Sequence, residues 1–374
     1  MSRTSYQFLL VLGTAALTAG PLVAQDPGAP TGYITLGAAY SERYGETAFA
    51  TISEENLFGT GIGAALSAEY SRSGYRISAD LDTGFTLPLA GSAIAPELDI
   101  SVYLDERKWQ DAAYNIRRAG IDADLRFSVN EQLNVAAGYF FYDDTLSDVV
   151  ATTSPLIAGE AGQQSVSGAK LGVYFDSTDN PIRPESGVSL GITARYAGLG
   201  GDVNWSSLTA NAALYQPLPM NGIASLSVTG GQIRSLDGNA IRITDRAFLG
   251  YDLPRGFAFG GLGPRDFAGP VNSPLGGETY AAASIATDFP MFETRSGTVY
   301  GGIFWEGGSV WDLQNTTGGA MPLVDDSLNW RASYGISLSW VGPFGNLRLS
   351  WADAYLRQPY DITQPVSLTF STSF

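Results

Sequence analysis

Asp252, Arg255, Arg265 and Asp266 lie close together in the stretch Tyr251–Asp266, YDLPRGFAFGGLGPRD, among six glycines and prolines. Charges on a backbone that turns this freely can do one of two things. They can sit in water on a surface loop. Alternatively, they can meet opposite charges on a wall that the glycines let the chain approach closely. Catalysis is not among the options these residues offer. The chain contains no histidine and no cysteine, so the commonest general base, the commonest transition-metal ligand and the thiol nucleophile are all missing. No enzyme activity, catalytic residue, metal site or cofactor is expected. The stretch belongs to a long segment, about Ile233–Pro274, with strand-like alternation on both sides of it. Segments of this length without their own periodicity are functional loops or disordered ones. Leu253, Phe257, Phe259, Leu262 and Phe267 need apolar surroundings and argue for a packed loop.

Composition narrows the partners. A net charge of −16 disfavours nucleic acid, whose phosphates require a basic face. Lysine occurs only at Lys108 and Lys170. The acidic groups Asp143, Asp144 and Asp148, and Asp325 and Asp326, lack the spacing of a calcium loop. They read as solvated loop charges, as do Asp99, Asp105, Glu106 and Asp111. At the N-terminus, Arg3 precedes a short apolar core, Phe8–Ala19, and small Ala24 follows as a cleavage site. This is the pattern of a secretory signal, too short to span a bilayer. Residues 1–24 are expected to be removed, leaving 25–374 as one exported domain.

The elements that must position the loop are strands. Trp330, Ala332, Tyr334, Ile336, Leu338 and Trp340 alternate with Arg331, Ser333, Gly335, Ser337 and Ser339. Ala119, Ile121, Ala123, Leu125 and Phe127 alternate with Arg118, Asp122, Asp124 and Arg126. Residues two apart share a face of a strand, so one face is apolar and the other polar or charged. A soluble all-β fold alternates too. The segments, however, are about ten residues long, as a tilted membrane span requires. Their polar faces carry charge in mid-strand, aromatics cluster at strand ends as in membrane girdles, and the chain ends on Phe374 as the last residue of a strand. Candidate strands are 33–40, 46–53, 62–71, 75–84, 96–104, 116–127, 133–142, 165–175, 187–196, 204–215, 222–232, 276–289, 296–306, 330–340, 345–354 and 365–374. The expected fold is all-β: a 16-stranded antiparallel transmembrane β-barrel in the Gram-negative outer membrane, both termini periplasmic.

Six segments in order carry a family resemblance: ENLFGTG at Glu55–Gly61, DSTDNPIRPESG at Asp176–Gly187, PRGF at Pro254–Phe257, GGETYAAASIATDFP at Gly276–Pro290, FWEGGSVW at Phe304–Trp311 and ISLSWVGPFGNLRLS at Ile336–Ser350. The chain resembles the barrel of the BamA/TamA family, the bacterial surface antigen superfamily of outer-membrane insertion and secretion pores. It departs from that pattern in three ways. Gln25–Gly32 leaves no room for the family's periplasmic POTRA domains. Glu306 stands where the family usually has aspartate. The last strand lacks the glycine that kinks the closing strand in some members.

The resemblance implies that the long extracellular loop folds into the lumen, with Pro254, Arg255, Gly256 and Phe257 as its motif and Glu306 as the lumen partner of Arg255. Alternation agrees, since Glu306 shares a face with Tyr300 and Phe304. Arg265 and Asp266 are either a second tie or ordinary loop charges. Closure joins the first and last strands, with Tyr33, Gly37, Phe370 and Phe374 at a lateral seam, because open edges are not tolerated in lipid. Two functions follow from the resemblance. The barrel assists insertion or translocation of proteins or lipids, or it is a passive pore or structural barrel. Its implied partners are outer-membrane lipids and lipopolysaccharide, client outer-membrane proteins and a separate periplasmic protein.

Overall fold

A computed structural model describes residues 17–18, 32–41, 43–84, 87–89, 92–94, 96–109, 113–181, 183–342 and 345–371. Sixteen antiparallel strands form a closed barrel. They are β1 (Gly32–Ser41), β2 (Gly45–Glu54), β3 (Ile62–Ser71), β4 (Gly74–Gly84), β5 (Glu97–Trp109), β6 (Tyr114–Ser128), β7 (Leu133–Ser147) and β8 (Gly162–Asp176). There follow β9 (Gly187–Gly201), β10 (Trp205–Leu218), β11 (Gly222–Ser235), β12 (Thr279–Thr294), β13 (Gly297–Trp311), β14 (Arg331–Gly342), β15 (Gly345–Leu356) and β16 (Val366–Ser371). Each strand pairs with its neighbours in sequence. A further two-residue segment, Leu17–Thr18, pairs with β1 opposite Leu36 and Thr35. It falls inside the segment expected to be removed. Phe374 and most of that segment lie outside the described residues.

Alternation separates two environments. Leu171, Ile192, Ile303 and Ile336 point outward and are more than half exposed, which suits lipid. No described helix is long and apolar enough to cross a membrane; strands make the crossing. The inward residues between them are charged and paired across the wall. Lys170 Nζ lies 2.8 Å from Asp122 and 2.7 Å from Asp124, and Arg126 lies 2.9 Å from Asp99. The wall encloses a cavity of about 2090 Å³.

Several strands on the long-loop side outrun their expected ends. β7 continues to Ser147 instead of 142, β9 to Gly201 instead of 196, and β13 to Trp311 instead of 306. The reason is a change of inner surroundings. Above the charged belt, the inward positions Phe140, Tyr142 and Leu146 of β7 and Val310 of β13 pack into apolar clusters beneath the loops. The inner face there is no longer polar, so the sequence signal for a half-solvated strand disappears.

Of the acidic residues read as solvated loop charges, Asp148 and Asp325 are exposed loop positions and Asp111 lies outside the described residues, but several others need correction. Asp144 is fully buried on β7. It accepts hydrogen bonds from Arg118 Nε at 2.7 Å and Nη2 at 2.6 Å. Asp99, Asp105 and Glu106 are β5 residues, the first two in ion pairs with Arg126 and Arg107. Asp105, Glu106 and Asp144 lie where strands run past their expected ends, whereas Asp99 sits within an expected strand and is held in the wall by its ion pair with Arg126.

Candidate functional site

Residues 236–278 connect β11 to β12, and their central part lies inside the barrel against β13. The Arg255 backbone N–H donates to Glu306 Oε2 at 2.7 Å. Its Nε and Nη2 donate to Oε1 at 3.0 and 2.6 Å. Ser284 of β12, directly opposite Glu306 in the ladder, donates to the same oxygen at 3.0 Å. Arg255 Nη1 reaches Ser350 Oγ on β15 at 3.3 Å. Its guanidinium carbon lies 3.4 Å from the Phe304 ring centroid. The two charged side chains are 12% and 3% exposed. A pair removed this far from water persists only when the carboxylate's remaining acceptor capacity is used, and here four donors converge on it.

The neighbouring residues of the motif allow the approach. Gly256 has φ +92°, and a Cβ there would lie 3.1 Å from Ala352 Cβ and 3.4 Å from Ser333 Cβ. An L side chain would therefore be strained and crowded at once. Pro254 is buried. Phe257 is fully buried among Leu249, Leu262, Ala282, Val310 and Ala354. Gly256 and Phe257 also form a two-residue antiparallel ladder with Gln364 and Thr363, just before β16.

Arg265 and Asp266 are both buried, yet they pair neither with each other nor with the barrel wall. Arg265 donates to Gly260 O at 2.6 Å and to Asn272 Oδ1 at 3.0 Å. Burial pushes its guanidinium down to about 10. Asp266 accepts from Ser154 Oγ at 2.5 Å and from the backbone N–H groups of Ala320 and Met321, each at 2.8 Å. It thereby joins three loops over the mouth, those after β7, β11 and β13.

Other residues in these networks escaped the sequence reading. Arg331 and Asp361 form a fully buried pair, with Nε and Nη2 each 3.0 Å from a carboxylate oxygen. Arg331 holds an inward position on its strand, which was a signal. Nothing in the sequence marked its partner, in the loop after β15. Ser284 and Ser350 are invisible without register. Asp252, beside the motif, is exposed to the lumen and not buried in packed protein. The surrounding wall nevertheless withdraws it from bulk solvent, and this desolvation pushes its carboxyl up to about 6.

The seam is narrow. Among the described residues, β1 and β16 meet in one bridge, Tyr40 to Phe370, while β16 pairs with β15 over six residues. Tyr33 and Gly37 sit lower on β1, paired with Ser53 and Phe49 of β2, away from the bridge.

This architecture defines a class: an outer-membrane barrel with an arginine-bearing loop pinned inside it. Residues 56–374 match the model of the Omp85 superfamily domain, and the chain belongs to that superfamily. It is 26% identical over 92% of its length to the outer membrane protein assembly factor BamA of Neorickettsia risticii (strain Illinois), of which it covers 45%. It is likewise 26% identical over 92% of its length to BamA of Neisseria meningitidis serogroup B, of which it covers 47%. The chain thus spans about half the length of these relatives. Its fold matches a crystal structure of BamA from Haemophilus ducreyi lacking POTRA domains 1–3. There the TM-score is 0.77 at 18% identity, covering 97% of this chain and 76% of that one.

Two outcomes are expected. Removing one member of a largely buried ion pair costs about 3–5 kcal/mol, and lumen water reduces the figure here. Arg255→Ala and Glu306→Gln should each lower heat resistance in detergent and raise ion conductance. The double variant should add little, since both remove the same contact. Asp252 provides the second. Its folded pKa lies above its unfolded one, so the folded state binds the extra proton. Stability carried by this group is then present at low pH and falls as pH rises from about 4 through 6. Asp252→Asn should raise the melting temperature at pH 8 and leave it unchanged at pH 4.

Proposed function

We propose that this barrel assists the insertion or translocation of polypeptides at the outer membrane, using the seam between β1 and β16 as the place where a client strand adds. The observation that carries this reading is the contrast between plug and seam. The lumen is occupied by a loop fastened through Arg255 and Glu306, whereas closure of the wall rests on the Tyr40–Phe370 bridge among the described residues. A passive pore gains nothing from a plugged lumen and a narrow seam. A strand edge left short of partners is the template that β-augmentation uses. The BamA relatives bear the name of assembly factors, which supports the same reading.

Residues 1–24 direct export and are cleaved off as a signal peptide. Outer-membrane phospholipid and lipopolysaccharide contact the outward apolar face. Client outer-membrane proteins are the substrates, delivered by a separate periplasmic protein. The work is non-covalent, and the chain acts without enzymatic chemistry.

Depletion of the protein followed by quantification of the outer-membrane proteome tests the reading. Levels of particular β-barrel proteins should fall and recover with the intact chain. Complementation with Tyr40→Cys/Phe370→Cys should restore them under reducing conditions and fail once the seam is cross-linked. Full recovery with a cross-linked seam would sink the proposal.

A further inference from the structure

The plug loop meets the two sides of the seam by different means. On the β16 side the tie is backbone. Gly256 and Phe257 form a ladder with Gln364 and Thr363, the Ala258 N–H donates to Ile362 O at 3.0 Å, and the Ile362 N–H donates to Gly261 O at 2.8 Å. The same segment is fixed to β14 by the Arg331–Asp361 pair. On the β1 side no such ladder forms among the described residues. The plug is met there by Arg43, in the turn between β1 and β2. Its guanidinium carbon lies 3.4 Å from the Phe259 ring centroid and 4.7 Å from that of Tyr44.

This contact is part of a longer stack. The Arg107 guanidinium lies 5.0 Å from the Tyr44 ring. It is held in turn by Glu69 and Asp105, each at 2.8 Å. Phe259 packs edge-on against Trp109, 5.1 Å away at the end of β5. Cations and rings therefore alternate from the β5 wall, through the β1–β2 turn, to the plug. The negative charge of Asp252 acts on the Arg43 guanidinium from within the same loop. A guanidinium over an aromatic face gains more as water is withdrawn. Being a side-chain contact, it can also part without unravelling any backbone ladder.

We propose that Arg43 is the latch through which the plug holds the β1–β2 hairpin at the seam, so that breaking its stack on Phe259 frees β1 while β16 stays fastened to the plug. The proposal rests on the reading that the seam parts, and it assigns the controlling contact and the mobile side. Arg43 then gates access to the β1 edge.

Hydrogen exchange of the barrel in lipid nanodiscs tests this without any client, so it stands or falls separately from the assembly assay. Arg43→Ala should raise exchange in Gly32–Ser41 about tenfold or more, as loss of one desolvated cation–aromatic contact implies. Exchange in Val366–Ser371 should stay as in the unaltered chain. Phe259→Leu should reproduce the effect from the other side. Arg43→Lys, which keeps the charge and loses the planar stack, should fall between. Unchanged β1 exchange in Arg43→Ala or in Phe259→Leu would overturn the proposal, as would an equal rise in both strands.

Discussion

A guanidinium can be carried into the lumen of a barrel only if a carboxylate and further polar groups meet it there. Arg255 and Glu306 satisfy this condition, and much of the architecture serves it. Glu306 is presented by an inward position on β13. Small residues, Ser284 and Ser333, flank it in the ladders on either side, and Gly256 removes the Cβ that would hold the loop away. A sixteen-stranded wall is too wide for its own side chains to fill. The loop supplies the missing interior, and the ion pair fixes where that interior sits.

The loops above the lumen repeat the same principle at the mouth. Asp266 gathers donors from two other loops, and the Arg246–Glu160 and Arg331–Asp361 pairs clamp further crossings. Charged pairs, not a large apolar core, do much of the joining. This fits a protein whose outer apolar residues are committed to lipid and whose lumen stays wet. The seam lies outside this network of clamps on one side only, since β16 is tied to the plug through backbone and β1 through side chains.

Much of the barrel was legible in the sequence because lipid outside and charged lumen inside force strict alternation. Sixteen strands and their order follow from that, together with the turns. Strand ends were less legible. Where β7 and β13 rise into the loop region, Tyr142, Leu146 and Val310 make the inner face apolar, and the alternation between environments is lost. The same loss disguised Asp144 as a loop charge. The motif residues Arg255 and Glu306 could be paired because resemblance and strand parity pointed to the same face. Asp361, Ser350 and Arg43 could not, since their contacts join distant loops and strands whose register no local pattern encodes. Asp266 was visible as a charge, but its partners are a distant loop hydroxyl, Ser154 Oγ, and two backbone N–H groups, which sequence does not mark.

The central claim is that the loop tip rests inside the barrel against β14 and β15, not in the medium. The natural absence of cysteine makes one measurement direct. Ala258, two residues beyond Gly256, is held in the plug by its N–H to Ile362 O, and its small side chain tolerates replacement by cysteine. In intact cells, Ala258→Cys should resist a membrane-impermeant maleimide added from outside, while Asp325→Cys, on an exposed loop, should label rapidly. Rapid external labelling of Ala258→Cys would contradict the account.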